Sequence, residues 1–293
     1  MFSLKSEIAI IGAGRVSYSL VNALVKSGFK VSLIISKSLS SAKNLATKFR
    51  IKNYSSDLNY LSYDVKIFFL AVPDSQIPSV AQKITKLSLD YKNSIFIHLS
   101  GAEDISLLNT LKKKGAYTGS FHIMQTFPER RINNLQDSYA AIETNSKKAG
   151  NFLFTLGKKL SLHPFKISSE KKIYYHLAGV YSSNFLVANQ FYAEKLFSKT
   201  NSSAIYKKIF MPITEMTLKN IKAKGILNAV SGPVERGDVE TVKRHLKVLR
   251  LDKTLKKNYI SQSLILIELI KKRDKKLSAR HRKLEKFLKS LVI

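Results

Sequence analysis

Residues 7–17 read EIAIIGAGRVS, a short apolar run that ends in Gly12, Ala13 and Gly14. A strand that breaks at a glycine pair and reopens as a helix brings backbone against a phosphate. Gly12 is placed for the tight turn and Gly14 for close approach of a pyrophosphate, while free N–H groups at the helix start, at Arg15 and Val16, face its charge. Ser17 stands where this pattern has a third Gly or Ala, and serine is still small enough for the strand–helix contact. The plain alternative is an ordinary glycine-rich turn.

The next apolar run, 30–36, ends in Ser36, Lys37 and Ser38, where an NAD-binding chain has an acid for the ribose 2'-hydroxyl. With no acid to repel a 2'-phosphate and a cation beside two hydroxyls, the segment favours NADP, and Arg15 adds a second cation. Lys37 and Arg15 are otherwise solvated surface charges. Val72 and Pro73, in AVPD, and Ser100, in HLSGA, follow two further apolar runs. Ligands of open α/β sheets bind past such strand ends, so these residues are expected at the nicotinamide side. Asp74 is alternatively a helix cap, and Ser100–Gly101 a plain turn.

Three more positions can act on a substrate. His122 and Gln125, in SFHIMQTF, are donors for a carboxylate or carbonyl, although a strand-end histidine also serves its own loop. In YYHLAGVYSSNF, His176, Val180 and Asn184 share one face of a helix, a titratable proton donor with an amide two turns on. Ala178 and Gly179 permit close backbone approach there. The bland reading is a buried helix whose polar groups bond to neighbouring helices. Arg236, in SGPVERGDVETV, can grip a carboxylate bidentately or pair with Asp238.

These residues need a scaffold. Further strands are expected at 66–72, 94–99, 117–122, 138–143 and 161–167, with helices at 40–48, 77–87, 105–114 and 147–159 between them. Such alternation is most economically an α/β fold, a doubly wound Rossmann-like sheet. From 169 onward strand patterns give way to helices at 173–199, 202–223, 239–249, 253–271 and 275–291. Two domains follow, 1–168 for NADP binding and 169–293, all-helical, for substrate and dimerisation.

The 293 residues are 44% hydrophobic, enough for two modest cores. No apolar run approaches a membrane span, and the start MFSLKSE lacks the apolar core of a secretion signal, so a cytoplasmic protein is expected. The absence of cysteine excludes disulfides, thiolate metal sites and a cysteine nucleophile, and no histidine–carboxylate cluster points to a metal. A formal charge of +30 invites a nucleic-acid partner, but the lysines are scattered through the chain. The exception is 271–289, with ten basic residues beside Leu277, Leu284, Phe287 and Leu288 on one helical face. A packed terminal helix with a solvated outer face is the expectation there; contact with an anionic membrane or nucleic acid is the alternative.

GAGRVS, AVPD, HLSGA, SFHIMQTF, HLAGVYSSNF and SGPVERGDVETV, in this order, resemble a family of uncharacterised Rossmann-like proteins with a C-terminal helical domain of unknown function. The resemblance spans nearly the whole chain, with Ile123 where the family typically has Pro. It extends to ketopantoate reductase and pyrroline-5-carboxylate reductase. It implies NADPH-dependent reduction of a small keto acid, concretely 2-dehydropantoate to pantoate in pantothenate biosynthesis, and a homodimer paired through helical domains. Ordinary ketopantoate reductases carry Lys-Leu on a helix, with Asn four and eight residues after the Lys; His176-Leu177, Val180 and Asn184 stand at those positions. His176 thereby becomes the expected general acid and Asn184 the orienting group, with a rate that falls as pH rises. Loss of the Lys and the first Asn also suits a non-catalytic NADP-binding sensor.

Overall fold

Strands buried on both faces need helices on both sides, and the first part of the chain folds that way. The computed structural model describes residues 2–200 and 203–292. Positions 1 and 293, the outer ends of the expected domains, and Ser202, the expected first residue of a helix, lie outside them. The elements are β1 (Ile8–Ile11), α1 (Arg15–Lys26), β2 (Val31–Ile35), α2 (Leu39–Lys48), β3 (Asn53–Ser55), β4 (Ile67–Leu70), α3 (Ile77–Ile84), β5 (Ile95–His98), α4 (Asn109–Lys113), β6 (Tyr117–Ile123), β7 (Tyr139–Glu143), α5 (Lys147–Lys159) and β8 (His163–Lys166). The strands form one sheet in the order β3-β2-β1-β4-β5-β6-β7-β8. It is parallel from β3 to β6; β7 runs antiparallel to β6, and β8 parallel to β7.

The order reverses between β1 and β4, which opens a crevice at their C-terminal ends. Alternate side chains of these strands serve opposite layers. Ile8, Ile10, Ile34 and Phe69 pack against Leu20 and Leu45 of α1 and α2, while Ala9, Phe68, Leu70 and Phe96 meet Ile77, Ala81 and Leu111 on the other side. The doubly wound sheet expected from the sequence is thus observed. β3 is an addition, and the stretch 105–114 divides into a 3-10 turn over Ile105–Leu108 and a short α4.

The chain divides into two compact units, Met1–Leu186 and Val187–Ile293. The expected division at 168/169 falls between β8 and α6 (Ser169–Gly179), which is grouped with the sheet. The single helix expected over 173–199 is three pieces: α6, a π-helical turn over Val180–Asn184, and α7 (Phe185–Phe197).

The second unit contains most of α7 and then α8 (Tyr206–Lys224), α9 (Val239–Val248), α10 (Lys253–Asp274) and α11 (Ala279–Lys289). Val242, Leu246, Ile260, Ile270, Leu284 and Leu288 form its core. The helix expected from 275 starts later because Lys275 adopts a left-handed conformation, φ 59°, that ends α10, and the Ser278 hydroxyl caps α11. The apolar face of the basic stretch is packed internally, with Leu284 and Leu288 fully buried. Among the described residues no helix is long and apolar enough to cross a membrane.

Candidate active site

Gly12 follows β1 at φ +116°, and its N–H donates to the Ile35 carbonyl at 2.7 Å. A Cβ on Gly12 would stand 2.1 Å from the Ala71 carbonyl oxygen, so only glycine lets the turns after β1 and β4 approach this closely. The buried Ser17 hydroxyl donates to the Gly12 carbonyl at 2.7 Å and ties the helix to the turn. At the third small position serine thus adds a bond that glycine or alanine lacks. Gly14 is the N-cap of α1 with no side-chain cap, and a Cβ there would meet only the Ala71 oxygen, at 3.8 Å. The opening N–H groups of α1 are left for an outside acceptor, in a turn with space for one. Ala13 is buried, Val16 half-buried and Arg15 exposed. The cradle fits a dinucleotide pyrophosphate.

At the end of β2 the Ser36 N–H donates to the Ser55 carbonyl on β3. Lys37 is exposed, and Ser38 caps α2 by accepting from the Ser41 N–H at 3.2 Å. After β4, Val72 is half-buried and Pro73 exposed. Asp74 does not cap α3: it begins a 3-10 turn, and its carboxylate accepts from the Ser100 hydroxyl at 2.7 Å. Ser100 also accepts from the N–H groups of Ala102 and Glu103, and so locks together the loops after β4 and β5.

The end of β6 and the C-terminal half of α6 bring three side chains together around Gly101. His122 Nδ1 lies 2.9 Å from the Tyr175 hydroxyl, and the His122 and His176 ring centroids are 6.3 Å apart. A Cβ on Gly101 would fall 2.6 Å from His122 Nε2 and 2.8 Å from His176 Cδ2, so the missing side chain is what admits both rings. Gly179 plays the same part against Met124, whose Sδ would be 2.9 Å from a Cβ there. Burial, followed by the charges of His176 and Lys172, lowers the His122 pKa to about 4, which keeps the ring neutral near pH 7. Burial raises the Tyr175 phenol to about 12. A cavity of about 110 Å³ adjoins His122, lined by Val16, Leu99, Phe121, Gln125 and Phe127, and it joins the start of α1 to the end of β6. Gln125 is exposed, its side-chain oxygen accepting from the Thr126 N–H.

Of the other expected residues, Asn184 closes the π-helical turn and is exposed. A turn with i→i+5 bonds rotates less per residue than an α-helix. It therefore narrows the divergence of roughly 80° that separates positions i and i+8 on a regular helix, here His176 and Asn184. Arg236 belongs to the second unit, exposed in the loop before α9. Its neighbour Asp238 caps α9, taking the Thr241 N–H at 3.0 Å and the Thr241 hydroxyl at 2.7 Å, in place of an ion pair with Arg236.

A buried polar network supports this corner and was not foreseen. Lys172, 0% exposed, donates to Ser120 Oγ at 2.5 Å, to Glu143 Oε2 at 3.3 Å and to the Glu103 carbonyl. Glu143 also accepts from the Ser169 hydroxyl at 2.6 Å. Beside it His98, fully buried, accepts the Ser100 N–H on Nδ1, which places its own proton on Nε2. Burial and then the Lys172 charge bring the His98 pKa to about 3. The available signal was spacing: Lys172 and His176 lie four apart, on one face of α6.

A Rossmann-like domain matches residues 3–123, and the family described as Domain of unknown function (DUF2520) matches residues 138–264. No curated protein matches the chain. A Bacteroides fragilis protein assigned as an NADP oxidoreductase is 25% identical, with 89% of this chain and 98% of that one superposed at a TM-score of 0.78. A Thermotoga maritima protein is 23% identical over 91% of this chain and 99% of its own, at a TM-score of 0.68. A 1-pyrroline-5-carboxylate reductase from Streptococcus pyogenes, 15% identical, covers 89% of this chain and 99% of its own at a TM-score of 0.62 and has the same fold. The glycine cradle lies in the first match, and the two matches follow one another along the chain, which is thus a Rossmann-like domain continuing into this domain of unknown function.

Proposed function

We propose that this protein is an NADP-dependent oxidoreductase that reduces a small 2-keto acid, with 2-dehydropantoate, the precursor of pantoate, as the leading substrate. The observation that carries the reading is the pair of imidazoles converging on Gly101, next to a cavity that begins at the cofactor cradle. Likeness to the assigned NADP oxidoreductase supports the cofactor, as does the serine- and lysine-lined end of β2. Bound NADPH supplies a hydride for the carbonyl carbon of the substrate. His176, half-buried beside the cavity-lining His122, delivers the proton to the carbonyl oxygen as negative charge builds there. His122, kept neutral, pairs through Nδ1 with the Tyr175 hydroxyl, and in the tautomer in which Nδ1 accepts, the proton on Nε2 faces Gly101 as a fixed donor. Gln125 offers its amide to the carboxylate, and Asn184 orients the bound acid. Exposed apolar side chains on α7 and α8 in the second unit support a homodimer.

The test is NADPH oxidation by the purified protein with 2-dehydropantoate, beside pyrroline-5-carboxylate and a panel of other 2-keto acids. Saturable turnover of 2-dehydropantoate supports the specific reading, and turnover of another member alone reassigns the substrate. Tight NADPH binding without turnover of any member favours a non-catalytic sensor. In the active case His176→Ala lowers kcat about 100-fold or more and leaves NADPH affinity unchanged; equal turnover removes His176 from the mechanism.

A further inference from the structure

Arg130 lies in the loop between β6 and β7, yet its Nη1 donates to Ser41 Oγ at 3.1 Å, in the first turn of α2. Ser41 is 8% exposed, and its N–H is the one that Ser38 caps. A guanidinium from a remote segment therefore stands at the corner formed by Ser36, Lys37 and Ser38. The loop is held there. The Asn133 N–H donates to Ser19 Oγ at 2.9 Å, the Ser19 hydroxyl donates to the Arg131 carbonyl at 3.4 Å, and Ser19 itself is fully buried in α1. Glu129, the nearest acid in sequence, is paired with Arg131 at 3.1 Å, and among the described residues Arg130 makes no ion pair. A positioned cation without a counter-anion, beside serine hydroxyls on a segment with no acid from 30 to 41, is a site for a dianionic phosphate.

We propose that Arg130 determines cofactor specificity by gripping the 2'-phosphate of NADP, so that the β6–β7 loop closes the pocket begun by Lys37, Ser38 and Arg15. The proposal rests on the NADP reading above. It adds a cation that the sequence around the glycine turn does not contain, and it links the two ends of the cofactor. Gln125, at the other end of the same loop, lines the cavity beside His122.

The experiment compares NADPH, NADH and adenosine 2'-monophosphate binding to the full chain and to its Arg130→Ala and Arg130→Lys variants by calorimetry. Arg130→Ala should weaken NADPH and adenosine 2'-monophosphate about tenfold, the equivalent of roughly 1.4 kcal/mol, and leave NADH unchanged. Arg130→Lys, which retains the charge without the planar fork, should fall between. NADPH affinity within about twofold of the parent, or an equal loss for NADH, overturns the role of Arg130 while the NADP reading stands. A parent protein that binds NADH as tightly as NADPH overturns both.

Discussion

His122 and His98 show how one residue type takes two roles according to what surrounds it. Both are held neutral by burial, but His122 borders the cavity whereas His98 is fully buried and does not line it. The sign of the consequence follows from the unfolded chain, where a histidine titrates near pH 6.5. Above that pH neither state binds the proton and these groups have no effect on stability. As pH falls below 6.5 the unfolded state takes up protons that the folded state refuses, so stability declines, down to about pH 4 for His122 and about pH 3 for His98. Between pH 6.5 and pH 5 few carboxylates titrate, and His98 alone should remove roughly 1 kcal/mol per pH unit. Urea unfolding across that interval measures the slope, and His98→Phe should make it shallower. A slope identical in the two proteins would mean that His98 titrates normally.

At the scale of elements, the position of α6 matters most, because it delivers Lys172, Tyr175 and His176 to the end of β6. Its attachment is polar at the centre: Lys172 reaches Ser120 on β6, Glu143 on β7 and the carbonyl of Glu103 after β5. Burial lowers the Lys172 pKa, and the neighbouring Glu143 opposes that shift. Removing one member of such a pair leaves the other charge buried and uncompensated. Lys172→Met is therefore expected to cost about 3 kcal/mol in urea unfolding, and adding Glu143→Leu should restore part of it. If the single variant matched the parent in stability, the pair would not anchor α6. The π-helical turn after α6 was invisible to periodicity, since nothing in VYSSN departs from a helical pattern.

Over the whole molecule two features stand out, charge and uncovered apolar surface. The 50 basic residues against 20 acidic ones are spread over both units. The apolar surface is concentrated instead. α7 has no buried residue although its sequence, FLVANQFYAEKLF, is apolar on every side, and in α8 only Tyr206 is buried. Val187, Phe191, Ile213 and Met216 are each more than half exposed. A helix apolar all round belongs inside something, and a stable dimer buries about 1,600 Å² in all. Light scattering over a range of concentrations should give the mass of two chains; one chain at every concentration would remove the homodimer.

What the sequence by itself determined is local. The β1–glycine–α1 turn, the strands of the parallel sheet and the helical second half follow from residue types and periods that act within one or two elements. β3 escaped because its three residues, Asn53–Ser55, are too few to carry a period and become a strand only by pairing with β2. The tertiary structure decided which groups meet. His122 and Tyr175 are 53 residues apart, Lys172 and Ser120 52, and Arg130 and Ser41 89. Such contacts depend on strand order and on how loops and α6 settle against the sheet, and a period read along the chain carries no information about either. The sequence placed His122, His176 and Lys37 among the candidates, and folding brought His122 to His176 and Arg130 to the start of α2.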